Sequence, residues 1–446
     1  MSKLGDHIEY VKGFAFKSKD YTETGIPVIR VSNFTDNSID IKDVYHIPKE
    51  RFSEFQKVNL IKDDIVIATV GSWPTNPSSV VGKTIRVPPE ANNTLLNQNA
   101  VRIRSLDKDE QLYFYYVLKD KSFSDYIIST AQGSANQASI TLKSILDYDL
   151  PNIDSKEKRI KIGKTLATYD EKIQLNTQIN QTLEQIAQAL FKSWFVDFDP
   201  VRAKVQALSD GLSLEQAELA AMQAISGKTP EELTALSQTQ PERYAELAET
   251  AKAFPCEMVE VDGVEVPKGW KYCSFGDVSE CFDSKRIPLS KQQREKRKGN
   301  IPYYGATSVM DYVDEAIFDD IYLLVGEDGS VLKEDGTPFT QYIWGKSWVN
   351  NHAHVLKGKN GISTEHLMIF IQQTNISAYI TGAVQLKLNQ KNMNSIPFLK
   401  ANNEINVFFA EYIESLYAKI RENLDENKIL ETARDLLLPK LLNGDI

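Results

Sequence analysis

The chain has 446 residues and a formal net charge of −10, with hydrophobic and charged fractions that are ordinary for a globular protein. This length allows two to three domains, each with its own core. The sequence predicts neither a membrane span nor a secretion signal, and its three cysteines lack a C-x-x-C spacing, so we expect a cytoplasmic protein without a disulfide framework.

Residues 1–155 are predicted to form a globular domain whose short strands end in polar loops. Strand-like runs at 26–31, 64–70 and 100–103 are followed by Gly, Asn, Ser, Lys and aromatic residues. Such side chains read base edges or hold phosphates, although an ordinary surface role stays open for each one alone. The candidate DNA-binding residues here are Lys12, Phe14, Lys17, Arg30, Ser32, Asn33, Ser72, Trp73, Lys83, Asn97, Gln98, Gln132, Asn136 and Gln137.

Residues 156–199 are predicted to form one long helix with a coiled-coil seam. From Ile162 to Trp194, apolar residues and two Asn recur at alternating spacings of four and three, which places them on the face that meets a partner helix. We expect Pro200 to stop this helix. The candidate seam residues are Ile173, Asn176, Asn180 and Leu183.

Residues 200–265 are predicted to be an acidic helical connector. Between Val205 and Glu265 there are 12 acidic residues against Lys228, Arg243 and Lys252, so this segment accounts for most of the chain's net negative charge. The net acidity therefore does not exclude a nucleic-acid partner for the remainder. The role of the connector itself stays open.

Residues 266–400 are predicted to form a second globular domain with a basic stretch at 285–298, which holds seven Lys or Arg against Glu295. Such a stretch is either a phosphate-binding surface or an ordinary solvated loop. Trp73 in the first domain and Tyr304 here could equally belong to a core. The candidate DNA-binding residues are Arg286, Lys291, Arg294, Tyr303, Tyr304, Ser330, Lys333, Lys346, Asn350, Asn351, Gln385 and Lys387.

Residues 401–446 are predicted to form a second long helix that repeats the first. The pattern Lys-Ile-x-x-Asn-x-x-x-Asn-x-x-Leu-Glu occurs at 172–184 and again at 419–431 without a gap. Asn on a seam costs stability but fixes register and orientation, so we expect the two helices to pair. The alternative is two amphipathic helices in unrelated bundles. We expect Pro439 to stop this helix, and its candidate seam residues are Ile420, Asn423, Asn427 and Leu430.

Shorter matches flank the helices. Leu4-Gly5-Asp6 resembles Phe275-Gly276-Asp277, and Asn97-Gln98-Asn99-Ala100 resembles Asn350-Asn351-His352-Ala353. Each half therefore reads as a globular domain followed by one helix, which predicts a pseudo-two-fold scaffold with different surface residues.

Motifs for catalysis are missing. Gly82-Lys83-Thr84 ends like a P-loop, but Pro77 stands where the first Gly is required. There is no G-x-G-x-x-G after a strand and no H-E-x-x-H, so neither a nucleotide pocket nor a metal site is predicted. Glu327, Asp328 and Lys333 could form a nuclease triplet, but such triplets are common. The sequence predicts a non-enzymatic chain.

The chain resembles the specificity (S) subunits of type I restriction–modification systems. The resemblance rests on Leu-Phe-Lys-Ser-Trp-Phe-Val-Asp-Phe-Asp-Pro at 190–200 and Leu-Leu-Pro-Lys-Leu-Leu-Asn-Gly-Asp-Ile at 437–446. Val-Pro-Lys-Gly-Trp at 266–270 and Gly-Phe-Ala-Phe-Lys-Ser at 13–18 add to it, and it spans nearly the whole chain. The acidic connector is longer than many members need.

This resemblance implies an α/β (α+β) protein with two target-recognition domains joined by a long antiparallel two-helix coiled coil. Each domain would read half of a split DNA site, and the helices would fix the gap. Two methyltransferase (M) subunits and, through them, motor/nuclease (R) subunits would bring S-adenosylmethionine, ATP and Mg, none of which this chain would bind. The rival functions are a coiled-coil adaptor without DNA and a methyltransferase or nuclease with atypical motifs. Candidate methyltransferase-docking residues, each with helix-pair core as the alternative, are Phe191, Trp194, Phe195, Phe198, Leu438, Leu441 and Ile446.

Overall fold

The structure, a computed structural model, describes residues 2–74, 80–134, 137–153, 155–382 and 385–445. The chain divides into two compact units, one formed by Met1–Thr177 with Leu424–Ile446 and the other by Gln178–Asn423. Each unit contains a sheet-bearing domain and a stretch of both long helices. In the described ranges, no helix combines the length and apolar character needed to cross a membrane.

The first unit begins with an α/β domain and continues into the first long helix. Its elements in chain order are β1 (Ile8–Lys12), β2 (Ile26–Ile29), β3 (Tyr45–Ile47), β4 (Asn59–Leu60), β5 (Ile65–Ala68), β6 (Val70–Gly71), β7 (Thr84–Arg86), β8 (Thr94–Leu96), β9 (Ala100–Ser105), α1 (Gln111–Lys119), α2 (Lys121–Ser129), β10 (Gln132–Ser134), β11 (Gln137–Ser139), α3 (Leu142–Leu146) and α4 (Lys156–Phe191).

Two four-stranded sheets form the core of the first domain, with strand orders β1-β9-β5-β7 and β3-β2-β8-β4. Strand β5 reads Ile-Val-Ile-Ala and is buried on both faces. Because side chains alternate along a strand, Ile65 and Ile67 pack with the aromatic residues of α1, whereas Val66 and Ala68 pack with the second sheet. In that second sheet β2 and β8 are parallel, so both strands end at the same edge.

The second unit holds the connector, the second domain and most of the last helix. Its elements in chain order are α5 (Asp199–Ser209), α6 (Leu214–Ser226), α7 (Pro230–Thr239), α8 (Pro241–Ala253), β12 (Met258–Val261), β13 (Val264–Pro267), β14 (Lys271–Ser274), α9 (Phe275–Val278), β15 (Ser279–Cys281), α10 (Lys291–Lys296), β16 (Lys298–Tyr304), β17 (Val309–Val313), β18 (Phe318–Asp319), β19 (Tyr322–Gly326), β20 (Thr340–Ile343), β21 (Lys346–Val349), β22 (Ala353–Gly358), α11 (Thr364–Gln372), α12 (Gln390–Asn394), β23 (Pro397–Lys400) and α13 (Asn403–Asn443).

The second domain repeats the strand order of the first. Its sheets run β15-β22-β19-β20 and β17-β16-β21-β18, and β16 and β21 are again the parallel pair. The flanking sequence matches fall on equivalent elements. Asn97 follows β8 and donates its backbone N–H to Ile29 (2.9 Å), while Asn350 follows β21 and donates to Tyr304 (3.1 Å). The predicted repeat of the scaffold is therefore present in the fold.

The repeated x-Gly-Asp segment has a packing reason in each domain. A Cβ on Gly5 would lie 3.1 Å from the Cβ of Leu146, and one on Gly276 would lie 2.9 Å from the Cβ of Asn394. These contacts are with the last residue of α3 and of α12, so glycine lets the turn approach a short helix closely. The following Asp caps the turn, since Asp277 accepts the backbone N–H of Ser274 at 2.9 Å.

The two long helices follow the predicted heptads. Every seam position from Ile162 to Trp194 and from Phe409 to Leu441 is buried or half-buried. Helix α4 has 36 residues and α13 has 41, corresponding to about 54 and 62 Å at 1.5 Å per residue. Gly163 permits the contact of α4 with α1, because a Cβ there would lie 2.5 Å from the backbone nitrogen of Tyr113.

Both predicted helix stops are wrong. Helix α4 ends at Phe191 and is followed by one π-helical turn, Lys192–Val196. Pro200 lies in the first turn of α5, where its missing N–H has no cost because that group would have no partner within the helix. Helix α13 continues through Pro439 to Asn443. Proline removes only one hydrogen bond in this last turn, and the burial of Leu438 and Leu442 in the first unit's core holds the helix in place.

The connector is folded. Helices α6, α7 and α8 enclose a small apolar core that includes Met222, Leu233 and Leu247. Lys204 of α5 is almost fully buried, and its ammonium group donates to the carbonyls of Ala251 (3.0 Å) and Phe254 (2.6 Å), which ties α5 to the end of α8. The acidic side chains therefore lie on an ordered helical insertion.

Candidate functional site

In the first unit, the helix seam is held by an asparagine pair. Asn176 of α4 is fully buried and donates from Nδ2 to Oδ1 of Asn427 on α13 at 2.9 Å. Lys172 donates to Oδ1 of Asn176 (2.9 Å) and forms an ion pair with Glu426 (3.0 Å). The amide is thus satisfied on both sides, which is the condition for tolerating Asn on an apolar seam.

The second unit contains the matching pair. Asn423 of α13 donates from Nδ2 to Oδ1 of Asn180 at 2.8 Å, and Asn180 donates to the backbone carbonyl of Ile420 at 3.3 Å. Both side chains are buried. In the first unit Asp170 meets Arg434 and Asn176 meets Asn427, and in the second Asn180 meets Asn423 and Trp194 meets Phe409. The helices therefore pair antiparallel within each unit. Ile173, Leu183, Ile420 and Leu430 also lie on the buried or half-buried seam.

An arginine of α13 anchors each domain to the helices. In the first unit, Arg434 donates to Asp170 of α4 at 2.5 Å, and the same carboxylate accepts the Tyr116 hydroxyl of α1 at 2.5 Å. Burial, followed by the nearby Asp170 charge, holds the pKa of Tyr116 well above its usual range. In the second unit, Arg421 contacts Tyr342, whose hydroxyl donates to Glu365 at 2.5 Å. Sequence reasoning missed both anchors, because their residues are far apart in the chain.

The first four docking candidates are buried in the second unit. Phe191, Trp194, Phe195 and Phe198 retain at most 8% exposure and form part of its main core. Leu438 is buried and Leu441 half-buried against the first unit's core, and Ile446 lies outside the described residues. Their burial favours the core alternative, and docking by these residues stays a prediction. Between residues 191 and 198, Val196 is an exposed apolar residue, with 51% of its surface accessible to solvent.

His366 of α11 lies inside this aromatic core. Its ring centroid is 4.6 Å from that of Phe195 and 4.7 Å from that of Phe409. Neither ring nitrogen has a hydrogen-bond partner within the described residues. Burial lowers the pKa of His366 to about 3, so this histidine is a neutral core residue.

Half of the first-domain DNA candidates are open to solvent. The exposed ones are Lys12, Phe14, Lys17, Ser32, Gln98, Gln132 and Gln137. Asn136 lies outside the described residues. Gln132 and Gln137 are the first residues of the paired strands β10 and β11. Ser32 and Gln98 follow the parallel strands β2 and β8, so the loops that carry Ser32 and Gln98 are neighbours at one end of that sheet.

The remaining first-domain candidates contact the protein itself. Asn33 is buried and accepts the backbone N–H of Arg30 at 2.9 Å. Trp73 is half-buried and donates its indole N–H to the carbonyl of Ser134 at 2.7 Å, and Lys83 pairs with Asp36 at 3.5 Å. Ser72 is buried, and Asn97 and Arg30 are half-buried. These contacts shape the loops, and base or phosphate contact by these residues stays a prediction.

The second domain shows the same division. Its exposed candidates are Lys291, Ser330, Lys333, Lys346, Asn351, Gln385 and Lys387.

The other second-domain candidates have structural partners. Arg286 forms ion pairs with Asp283 (3.1 Å) and Glu327 (2.7 Å), and Arg294 pairs with Asp311 (3.0 Å). Much of the positive charge at 285–298 is therefore neutralised locally. Tyr303 is 1% exposed and Asn350 3%, while Tyr304 is half-buried and burial raises its pKa. These positions favour a scaffold role, although DNA contact by them stays a prediction.

One group of possible metal ligands occurs in the described part of the chain. Cys281, Asp283 and His354 bring their ligand atoms within 4.8 Å of one another. Both His354 nitrogens are engaged, Nδ1 with Asp283 (2.6 Å) and Nε2 with the carbonyl of Leu388 (2.8 Å). The Arg286 guanidinium beside Asp283 would repel a cation. We therefore interpret the group as a hydrogen-bonded network that joins the segment after β15 to β22.

An aromatic cluster in the first domain was missed by the sequence reasoning. Tyr45 of β3 stacks on Tyr21 with ring centroids 4.5 Å apart, and the Arg30 guanidinium lies 4.2 Å from the Tyr45 centroid. Tyr45 is 47% exposed. The sequence carries a weak signal for it, since an aromatic residue on an edge strand is common whether or not it serves a ligand.

The comparisons with known proteins agree with this architecture. The family model for the type I restriction modification DNA specificity domain matches residues 1–185 and 267–430. The chain belongs to this family. The unmatched interval between these ranges contains the whole folded connector. The family predicted from the sequence, its fold class and the function in DNA target recognition are confirmed.

Individual relatives support the same conclusion. The chain is 43% identical over 364 residues to the type I restriction enzyme HindI specificity subunit of Haemophilus influenzae, covering 75% of this chain and 77% of that one. It is 22% identical over 363 residues to the MjaIX specificity subunit of Methanocaldococcus jannaschii, covering 75% and 68%. The crystal structure of the type I restriction–modification S subunit from M. genitalium has the same fold, with a TM-score of 0.53 at 17% identity and coverage of 98% of this chain and 94% of that chain.

Proposed function

We propose that this specificity-family chain reads a two-part DNA sequence, one half with each globular domain, and that it catalyses nothing itself. The observation that carries the proposal is the repeated scaffold with unlike loops. Both domains have the same two sheets in the same strand order, yet Lys12 and Arg30 in the first are matched by Asp283 and Gly305 in the second. One backbone design with two sets of side chains fits two different half-sites.

The paired helices support a fixed gap between the half-sites. Asparagine pairs satisfy the seam in each unit, and arginine anchors fasten each domain to its own stretch of helix. Half-sites must be presented at a set distance and groove phase, which a stiff helix pair does better than a flexible linker.

Partner subunits supply the chemistry in this proposal. Two methyltransferase subunits would bring S-adenosylmethionine and the pocket for a flipped base, and motor/nuclease subunits would bring ATP and Mg. In the weak nuclease triplet of the sequence, Glu327 is paired with Arg286 and Lys387, which favours a structural role for this carboxylate.

Mapping of methylated bases tests the proposal. We expect cells that carry this chain with its methyltransferase partner to show one bipartite motif, and the chain alone to produce no methylated base. Replacing residues 1–152 with those of another family member should change one half of the motif and preserve the other half and the gap. A change in both halves, or methylation by the chain alone, would contradict the proposal.

A further inference from the structure

Arg30 differs from every other arginine in the described residues. Each of the others donates to, or forms an ion pair with, an acceptor of the protein; for example, Arg51 pairs with Asp20 (3.0 Å) and Arg104 with Asp64 (2.6 Å). The Arg30 guanidinium has no such acceptor in the described ranges, and its Nε is buried without a partner. A guanidinium carries five donors, and those of Arg30 have no acceptor from the described residues.

Stacking holds the Arg30 guanidinium in a defined place. Its Cζ lies 4.2 Å from the ring centroid of Tyr45, and Tyr45 is itself stacked on Tyr21 with an interplanar angle of 18°. This cation–π contact holds the guanidinium against the ring of Tyr45 without using its terminal N–H donors. The side chain is therefore ordered before any ligand arrives, which lowers the entropic cost of binding.

Arg30 lies at a strand end that carries other candidate DNA-binding residues. It follows β2 directly, and Asn97 follows the parallel neighbour β8, so Arg30, Ser32 and Gln98 come from adjacent loops at one sheet edge. In the second domain Tyr304 occupies the place of Ile29 beside the parallel strand, which puts Gly305 at the place of Arg30. The feature belongs to the first domain alone.

We propose that Arg30 reads a guanine in the half-site of the first domain, donating two hydrogen bonds to its O6 and N7 in the major groove. This inference rests on the proposed function. A planar, preordered guanidinium matches the paired acceptors of guanine, and arginine to guanine is the commonest specific base contact. A phosphate contact is the other outcome, and the experiment separates the two.

Methylated-base mapping gives the first test, with Arg30→Ala and Arg30→Lys chains in the presence of the partner methyltransferase. We expect one guanine position in one half-site to become degenerate, with discrimination reduced by about 5- to 150-fold. The other half-site and the gap should be unchanged. Arg51→Lys is the matched control, since Arg51 also stacks on a ring, Phe55, but its donors are occupied. It should leave the motif intact.

Base-analogue binding gives the second test, using the assembled complex on its own target. Replacing the guanine with 7-deazaguanine removes N7 and keeps base pairing, so the wild type should lose affinity whereas Arg30→Ala should lose nothing further. Tyr45→Ala should weaken discrimination and Tyr45→Phe should restore it, because only the ring is needed for the stack. Thermal unfolding of each variant shows whether it is folded.

An unchanged motif in a folded Arg30→Ala complex would overturn the inference. So would a uniform loss of affinity on all sequences with the salt slope reduced by about one, which marks a phosphate contact. A first half-site without guanine on either strand would also overturn it. Failure of the proposed function looks different, because the wild-type chain would then show no bipartite motif.

Discussion

At the scale of one residue, the buried side chain of His366 should make the stability of the second unit depend on pH. It is fully buried among phenylalanine rings, and burial lowers its pKa to about 3. An unfolded histidine has a pKa near 6.5, so acid protonates the unfolded state first. The free energy of unfolding is therefore unaffected by His366 above pH 6.5, and it decreases progressively as the pH falls below 6.5.

We expect His366→Leu to remove this acid sensitivity. Between pH 7 and pH 5 the wild-type chain should lose about 2 kcal/mol more free energy of unfolding than the variant, at about 1.4 kcal/mol per pH unit below 6.5. Urea unfolding at the two pH values measures the difference, and every other titrating group cancels in the comparison. Equal losses in both chains would show that His366 is not the group responsible.

At the scale of elements, the asparagine pairs decide how the two helices meet. Asn423→Ala leaves the buried Oδ1 of Asn180 without its donor, which should cost about 1 to 3 kcal/mol of unfolding free energy. Replacing both residues with Leu should recover most of this loss, because an apolar seam is stable although it fixes register less strictly. Urea unfolding of the single and double variants measures the coupling.

The control for this pair is Gln181→Ala, since Gln181 is the exposed neighbour of Asn180 on the same helix. It should change stability by no more than about 0.5 kcal/mol. If the double Leu variant were as unstable as Asn423→Ala, the amide pair would not be the origin of the effect.

The same elements show what a sequence can and cannot predict. Heptad spacing predicts the helices, their pairing and the seam Asn, because local periodicity determines which face is buried, whereas their antiparallel direction is implied only by the family resemblance. It misjudges Pro439, because burial of Leu438 and Leu442 outweighs one lost hydrogen bond. The sequence also does not show that Arg30 lacks an acceptor while Arg286 is ion-paired, because the partners of a guanidinium can lie far away in the chain.

At the scale of the molecule, the two long helices are the elements that both units share. Helix α4 passes from one unit to the other between Thr177 and Gln178, and α13 does so between Asn423 and Leu424. The domains can therefore diverge in their loops while the seam and the anchors stay alike. Under the proposed function, the helix pair sets the gap of the DNA target and the loops set its two halves.

Lengthening both helices together tests this division of roles. A second copy of residues 174–180 in α4 and of residues 421–427 in α13 adds one heptad to each, keeps the seam in phase and gives each added Asn a partner. Seven residues add about 10.5 Å, so at 3.4 Å per base pair we expect a gap about three base pairs longer, with both half-sites unchanged. Methylated-base mapping reads the gap directly.

Lengthening α4 alone is the control, and it should abolish methylation because Asn176 and Asn180 could no longer both meet their partners. An unchanged gap in the doubly lengthened chain would mean that the helices hold the domains without measuring the DNA.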